Sequence, residues 1–394
     1  MFAACKNLVK SFKPKNGDGI DRLNSVLTTS MLAILIVFLG YYYIIYDPIQ
    51  CWMPEQMAKN NWEKYVEDYC YYVENTYFVS LENDTHLPEA ERHEQKYYYW
   101  VPLILIVQLF LFLTPNAIWN CISKRTGLNA KTILSHVKGT SEPPPHKLIN
   151  AESWAAAKYI HEIIFFSCRR KIRLFGIFPS KTYNEYFTAT YLCYKFLNCL
   201  NSFAQLLILN RFLSESYTFG GFGLLRDLLI EKDWKLTGHF PRVTFCDVSI
   251  RDDESSLPMN FTVQCVLPNN MFNEKIYIIL WFWFAALTAL NYVNLLYWIF
   301  TSMSYAWKIQ FIKAQLQFPS LRFARLARLG NGDILQFLQQ WLKMDGLTAL
   351  RLISANSGDF VSSDFLGAMY LDFECQRAQK AEENGKCIRS FPLD

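Results

Sequence analysis

The sequence predicts a mainly α-helical membrane protein: a four-transmembrane-helix bundle with two cysteine-bearing extracellular loops and a helical cytosolic domain. Three observations carry this. Four stretches supply roughly the 20 residues that a helix needs to cross a ~30 Å hydrocarbon layer. The segments between them alternate between basic and acidic. The two acidic segments each hold two cysteines and a glycosylation sequon.

Composition agrees. The chain has 394 residues, 52% hydrophobic and 19% charged, and its mean hydropathy of +0.04 is too low for an all-membrane chain and too high for an ordinary soluble one. A few spans joined by sizeable polar segments fit that balance. The net charge of +4 says little, because a membrane divides the charges between two compartments. No nucleic-acid partner is expected.

Residues 1–25 read as a cytosolic N-terminal helix. Phe2, Cys5, Leu8, Val9 and Phe12 recur at helical spacing, with Lys6, Lys10 and Lys13 opposite, so one face is apolar and the other basic. Such a helix suits the inner leaflet or the mouth of a pore. The segment has no apolar core run and no small-residue cleavage site, so the first span is expected to serve as its own insertion signal.

That first span covers 26–46, with Tyr41, Tyr42, Tyr43 and Tyr46 crowding one end before Asp47-Pro48 stops it. The acidic loop 47–97 carries Cys51, Cys70 and the sequon at Asn83. The second span, 98–119, has no charge between Val101 and Thr114; aromatics mark both its ends, Pro102 sits in its first turn and Pro115 near its far end. The loop 120–185 is basic, which places it in the cytoplasm. The third span, 186–213, carries Lys195, which costs about 2.5–3.5 kcal/mol at a helix centre against 0.3–0.6 returned by each Leu or Phe. Tyr191, Lys195, Asn198, Ser202 and Gln205 share one face. That face serves either as polar glue between helices or as the wall of an aqueous path. The second acidic loop, 214–274, holds Cys246, Cys265 and the sequon at Asn260. The fourth span, 275–300, is followed by 301–394, where the amphipathic pattern of 337–353 predicts a helical cytosolic domain.

Charge, sequons and cysteines agree on one orientation. Both termini and the basic loop share the cytosol, and the acidic loops lie outside, where their four cysteines can form two disulfides. No catalytic constellation accompanies them: His161-Glu162 lacks the second histidine of a zinc protease motif, and no nucleophile elbow, phosphate-binding loop or dinucleotide fingerprint occurs. The protein is read as no enzyme, with no metal and no cofactor.

One stretch goes further. Tyr97, Tyr98, Tyr99, Trp100, Val101 and Pro102 read YYYWVP, which resembles the YYQWVP signature of the innexins, the gap-junction proteins of invertebrates, with Tyr99 in place of the usual glutamine. The loop CWMPEQMAKNNWEKYVEDYC, the stretch from GHFPRVTFCDVSI to FTVQCVLPNN, the DRLN at 21–24 and the tail DGLTALRLISANSGDF are similar to that family too; the basic middle loop adds nothing. The resemblance implies a large-pore channel subunit of the plasma membrane and gap junction, passing ions and small metabolites. It implies homo- or hetero-oligomers of eight per hemichannel, set in membrane lipid and docking with a hemichannel of the adjacent cell. It also implies disulfides Cys51–Cys265 and Cys70–Cys246, where four cysteines alone allow three pairings. The family's N-terminal helix lines the cytoplasmic mouth, which makes Phe2, Cys5, Lys6, Leu8, Val9 and Phe12 pore candidates and Pro102 a bend point for gating. Glycans at Asn83 or Asn260 would hold two hemichannels apart, as in the related pannexins. The competing reading is a four-span adhesion or scaffold protein with no conducting pore. It lacks the Cys-Cys-Gly of tetraspanins, and the claudin habit of confining paired cysteines to the first loop is broken.

Overall fold

The computed structural model describes residues 17–53, 62–73, 76–79, 92–95, 100–126, 185–213, 226, 240–250, 259–317 and 330–383. Among the described residues, four helices are long and apolar enough to cross a membrane: Gly19–Tyr43, Val101–Ser123, Tyr186–Arg211 and Pro268–Met303. The chain divides into two compact units. A helical unit gathers 1–27, 113–199 and 290–394; a sheet unit gathers 28–112 and 200–289.

The first spanning helix starts ahead of its apolar run, because Asp18 caps it. The Asp18 side chain accepts from the Asp21 backbone and the Asp21 side chain accepts from the Asp18 backbone, so two of the orphan N–H groups at the helix start are satisfied reciprocally. It runs as α1 (Gly19–Arg22), a π-helical stretch (Leu23–Thr28) and α2 (Thr29–Ile45). Helix α4 (Val101–Thr126) carries Pro115 inside it. Helices α5 (Tyr186–Leu213) and α6 (Pro268–Met303) follow. At 1.5 Å per residue the 36 residues of α6 extend about 54 Å, well beyond a hydrocarbon layer.

In the sheet unit, the short helix α3 (Trp62–Asp68) and a π-helical turn (Tyr69–Val73) precede an antiparallel five-stranded sheet. Its strands are β1 (Gln50–Trp52), β2 (Thr76–Val79), β3 (Arg92–Gln95), β4 (Val243–Ile250) and β5 (Met259–Val266), in the spatial order β1-β5-β4-β2-β3. Both polar loops of the sequence therefore feed one sheet. Side chains alternate as a pleated strand requires: Thr244, Cys246 and Val248 of β4 and Val263 and Cys265 of β5 are buried. Cys246, Val248, Val263 and Cys265 pack with Ile49, Val66, Tyr71 and Leu267 in a small core. On the other face the hydroxyls of Tyr77 and Thr262 donate to the Asp247 carboxylate at 3.1 and 2.6 Å.

In the helical unit, α7 (Tyr305–Gln317), α8 (Asn331–Phe337), a π-helical turn (Leu338–Leu342), α9 (Lys343–Ser357) and α10 (Asp359–Glu383) enclose a core that includes Phe337, Trp341, Leu350, Phe365 and Tyr370. Trp119 of α4, Phe187, Tyr191 and Tyr194 of α5 and Trp298 of α6 belong to that same core. The amphipathic 337–353 stretch thus buries its apolar side on residues of the long helices. The Arg322, Arg325 and Arg328 run lies outside the described residues.

Candidate functional site

In the sheet unit the site is the cap formed by the two loops. Cys51 of β1 stands opposite Cys265 of β5 in the strand register, and a disulfide joins them. Cys70, in the turn after α3, is bonded to Cys246 of β4. The bridges span 214 and 176 residues of sequence, and all four cysteines are buried. One face of the cap opens into a cleft of about 960 Å³ lined by Asp47, Gln50, Cys51, Trp52, Glu63 and Glu67, among others. Glu67 accepts a hydrogen bond from the Cys51 backbone at 3.2 Å. Burial, and after it the charges of Glu63, Asp47 and Asp68, push its carboxyl up against that bond. Sequon residue Asn260 is exposed at the start of β5, where its carbonyl accepts from the Ser249 hydroxyl at 2.8 Å.

In the helical unit the site is the root of the first span. The Lys195 ammonium lies 2.6 Å from Asp18 Oδ2 and 2.7 Å from Asp21 Oδ1. The Tyr191 hydroxyl donates to Asp21 at 2.8 Å. The Trp298 indole and the Asn294 amide donate to Asp18 at 2.9 and 3.1 Å. Burial would raise the Asp18 carboxyl, but the Lys195 ammonium, with the Asp21 backbone and Trp298 donors, holds it below the usual carboxylate range. Asn24 and Asn291 exchange amide hydrogen bonds at 2.7 and 2.9 Å. Tyr191, Lys195, Asn198, Ser202 and Gln205, the polar face read from sequence, are all buried within the one chain, whereas Phe196, Leu200, Phe203 and Leu207 face outward. Of the two roles open for that face, the Tyr191 and Lys195 contacts fit polar glue between helices, whereas the buried Gln205 amide makes no hydrogen bond among the described residues.

Two joins in this unit gave no sequence signal. The Asp345 carboxylate of α9 accepts from the Phe187 and Thr188 backbones at 3.1 and 2.9 Å and from the Thr188 hydroxyl at 2.9 Å, so it caps α5 from far along the chain. Burial raises its pKa despite these donors. The Arg351 guanidinium stacks 3.6 Å above the Trp298 ring, with Trp307 at 4.6 Å.

A cap bridged by two disulfides and built from two loops, four candidate spans and a helical C-terminal domain are the parts the sequence likeness calls for. A family model described as Innexin matches residues 17–373. This chain belongs to the innexin family. Innexin-3 of Caenorhabditis elegans is 30% identical over 381 residues, covering 92% of this chain and 85% of that protein. Innexin-16 of the same organism is 32% identical over 365 residues, covering 92% and 91%. Innexin unc-9 is 29% identical over 352 residues, covering 87% and 88%. As an innexin the chain is a multi-pass subunit of an oligomeric gap-junction or hemichannel channel of the plasma membrane, and no enzyme.

The remaining sequence candidates divide by position. Of the innexin signature, Trp100, Val101 and Pro102 are described: Val101 is fully buried and Trp100 half exposed. Pro102 is the second residue of α4, where its missing N–H removes no intrahelical bond. Pro115 lies inside the helix, where it does. Tyr97, Tyr98, Asn83 and the pore candidates Phe2, Cys5, Lys6, Leu8, Val9 and Phe12 fall outside the described residues.

Proposed function

We propose that this innexin assembles eight to a hemichannel, with both termini and the basic 120–185 loop in the cytosol and the disulfide-bonded cap outside the cell, and that the helix at 1–25 lines the cytoplasmic mouth of the pore. Phe2, Leu8, Val9 and Phe12 of that helix would form the apolar lining, Pro102 would be the pivot at the start of the second span, and Pro115, inside α4, the place where the helix itself bends.

The observation that carries this reading is the cap. Docking two hemichannels requires outer surfaces that hold their shape, and here both loops enter one sheet and are bridged twice. The outward orientation is supported by the disulfides themselves, which persist on an oxidising side of the membrane, and by the segregation of basic residues to the other side.

The sequons qualify the docking. Asn260 is exposed on the cap hairpin, so a glycan there would stand on the outer surface and, like one at Asn83, keep a second hemichannel away. The innexin then works in part as an unpaired hemichannel. Enzymatic deglycosylation read as a gel shift, beside junctional conductance between paired cells, tests this. The expected result is dye uptake by single cells and coupling that rises when Asn83→Gln and Asn260→Gln are combined. Full coupling with both sites occupied would contradict it.

A further inference from the structure

We propose that Lys195 is a positioning residue of the channel: with Asp18, Asp21 and Asn356 it fixes the point from which the N-terminal pore segment departs, and it ties that point to the C-terminal domain. This rests on the reading of residues 2–12 as pore lining.

The start of the first span is held by more than a helix start needs. The reciprocal bonds between Asp18 and Asp21 already cap α1. Yet the remaining carboxylate capacity is also engaged: Lys195 bonds to both acids, Tyr191 to Asp21, and Asn294 and Trp298 to Asp18. A buried acid, a buried ammonium and a half-buried second acid at the end of a spanning helix are a poor way to gain stability, since well-packed apolar side chains of similar volume do at least as well. What directional bonds from two other helices do supply is a single geometry for the residues they hold.

The grip continues to Gly17, the first described residue of the chain. Asn356 of α9 donates to the Gly17 carbonyl at 3.0 Å, and Arg22 donates to the Asn356 side chain. A Cβ on Gly17 would stand 2.6 Å from Asp21 Oδ2 and 2.7 Å from Asp21 Cβ, so this glycine is needed for the close approach. The Arg351 stack on Trp298, whose indole donates to Asp18, gives the C-terminal domain a second route to the same carboxylate. Movement of α9 therefore bears on Gly17 directly, and the N-terminal segment starts where the C-terminal domain sets it.

Native Cys5 offers a probe inside the proposed pore segment. A charged methanethiosulfonate is applied to the cytosolic side of patches holding the full-length channel, and the Cys5-dependent component is what Cys5→Ser abolishes. In the parent channel this component blocks current. In Lys195→Gln and Asn356→Ala the rate of that block is expected to change by about tenfold, the worth of one lost hydrogen bond to a charged group, and in Gly17→Ala it is expected to change as well, because the added Cβ displaces Asp21. Gly17→Ala and Asn356→Ala keep every charge, so they decide the matter if Lys195→Gln fails to reach the surface. No Cys5-dependent block in the parent overturns the pore reading and the inference with it. A block whose rate is the same in the parent and in the variants at the surface overturns the positioning role alone.

Discussion

Distant parts of the chain meet in both units, but the joins differ in kind. In the sheet unit Cys51 meets Cys265 and Cys70 meets Cys246, and the joins are covalent. In the helical unit Asp18 and Asp21 meet Lys195, Asp345 meets the start of α5, and Arg351 meets Trp298; every one of these is a hydrogen bond, an ion pair or a ring contact. On the proposed orientation, which puts the cap outside the cell, the difference follows from redox chemistry: disulfides last there and are reduced in the cytosol. It also separates two tasks. A covalent clamp keeps one shape, which suits a docking surface, whereas a cluster of charge-assisted bonds fixes a geometry with contacts that can break and re-form without bond chemistry.

The comparison breaks or sharpens at four places. Lys195→Met leaves the buried Asp21 carboxylate and the half-buried Asp18 carboxylate without their cation, which costs about 3–5 kcal/mol; thermal unfolding of the solubilised oligomer should register a large drop, and an unchanged midpoint would remove the ionic clamp from the account. Combining it with Asp18→Asn and Asp21→Asn should restore most of that loss, because an apolar or neutral replacement of a whole buried cluster is often tolerated.

Cys51→Ser with Cys265→Ser should cost about 2–5 kcal/mol. The two bridges are not additive. Once Cys70–Cys246 is closed, the second bridge closes only the short ring made by 51–70 and 246–265, and loop-closure entropy grows with the logarithm of ring size. A mild reductant should accordingly lower the unfolding midpoint of the cap while leaving the Lys195 variants' penalty unchanged. Asp345→Ala removes the cap of α5 and should cost about 1–2 kcal/mol, read as faster hydrogen exchange at Phe187 and Thr188.

The smallest effect concerns pH. Glu67 carries a raised pKa in the folded cap. A raised carboxyl binds protons more readily folded than unfolded, so its contribution to stability falls as pH rises from the ordinary glutamate range through its folded-state value. Glu67→Gln should slightly raise the cap's unfolding midpoint at neutral pH and flatten its dependence over that window. A steeper profile in the variant would reverse the assigned sign.

Hydropathy made the spans legible, because a helix in lipid must hold its apolar residues in one run. The loops were another matter. Residues 243–250 and 259–266 alternate in the period of a strand, with Thr244, Cys246 and Val248 on one face, yet the five-stranded sheet went unforeseen because its partners come from loops far apart in sequence. The pairing of the cysteines was legible only through the innexin resemblance. Lys195 announced by its cost that it needed a partner. Nothing in its neighbourhood named Asp18 and Asp21, which lie 177 and 174 residues away, nor Asp345 as the cap of α5. Long-range polar joins leave no periodic trace, so sequence shows that a polar residue needs a partner without showing which one.

The most direct test of the whole account is electron-microscopic imaging of the purified full-length protein in lipid. The account predicts rings of eight subunits around a continuous axial opening, with the bridged caps forming one face of each ring and glycosylated rings unstacked. Particles of one or two subunits with no axial opening would contradict it.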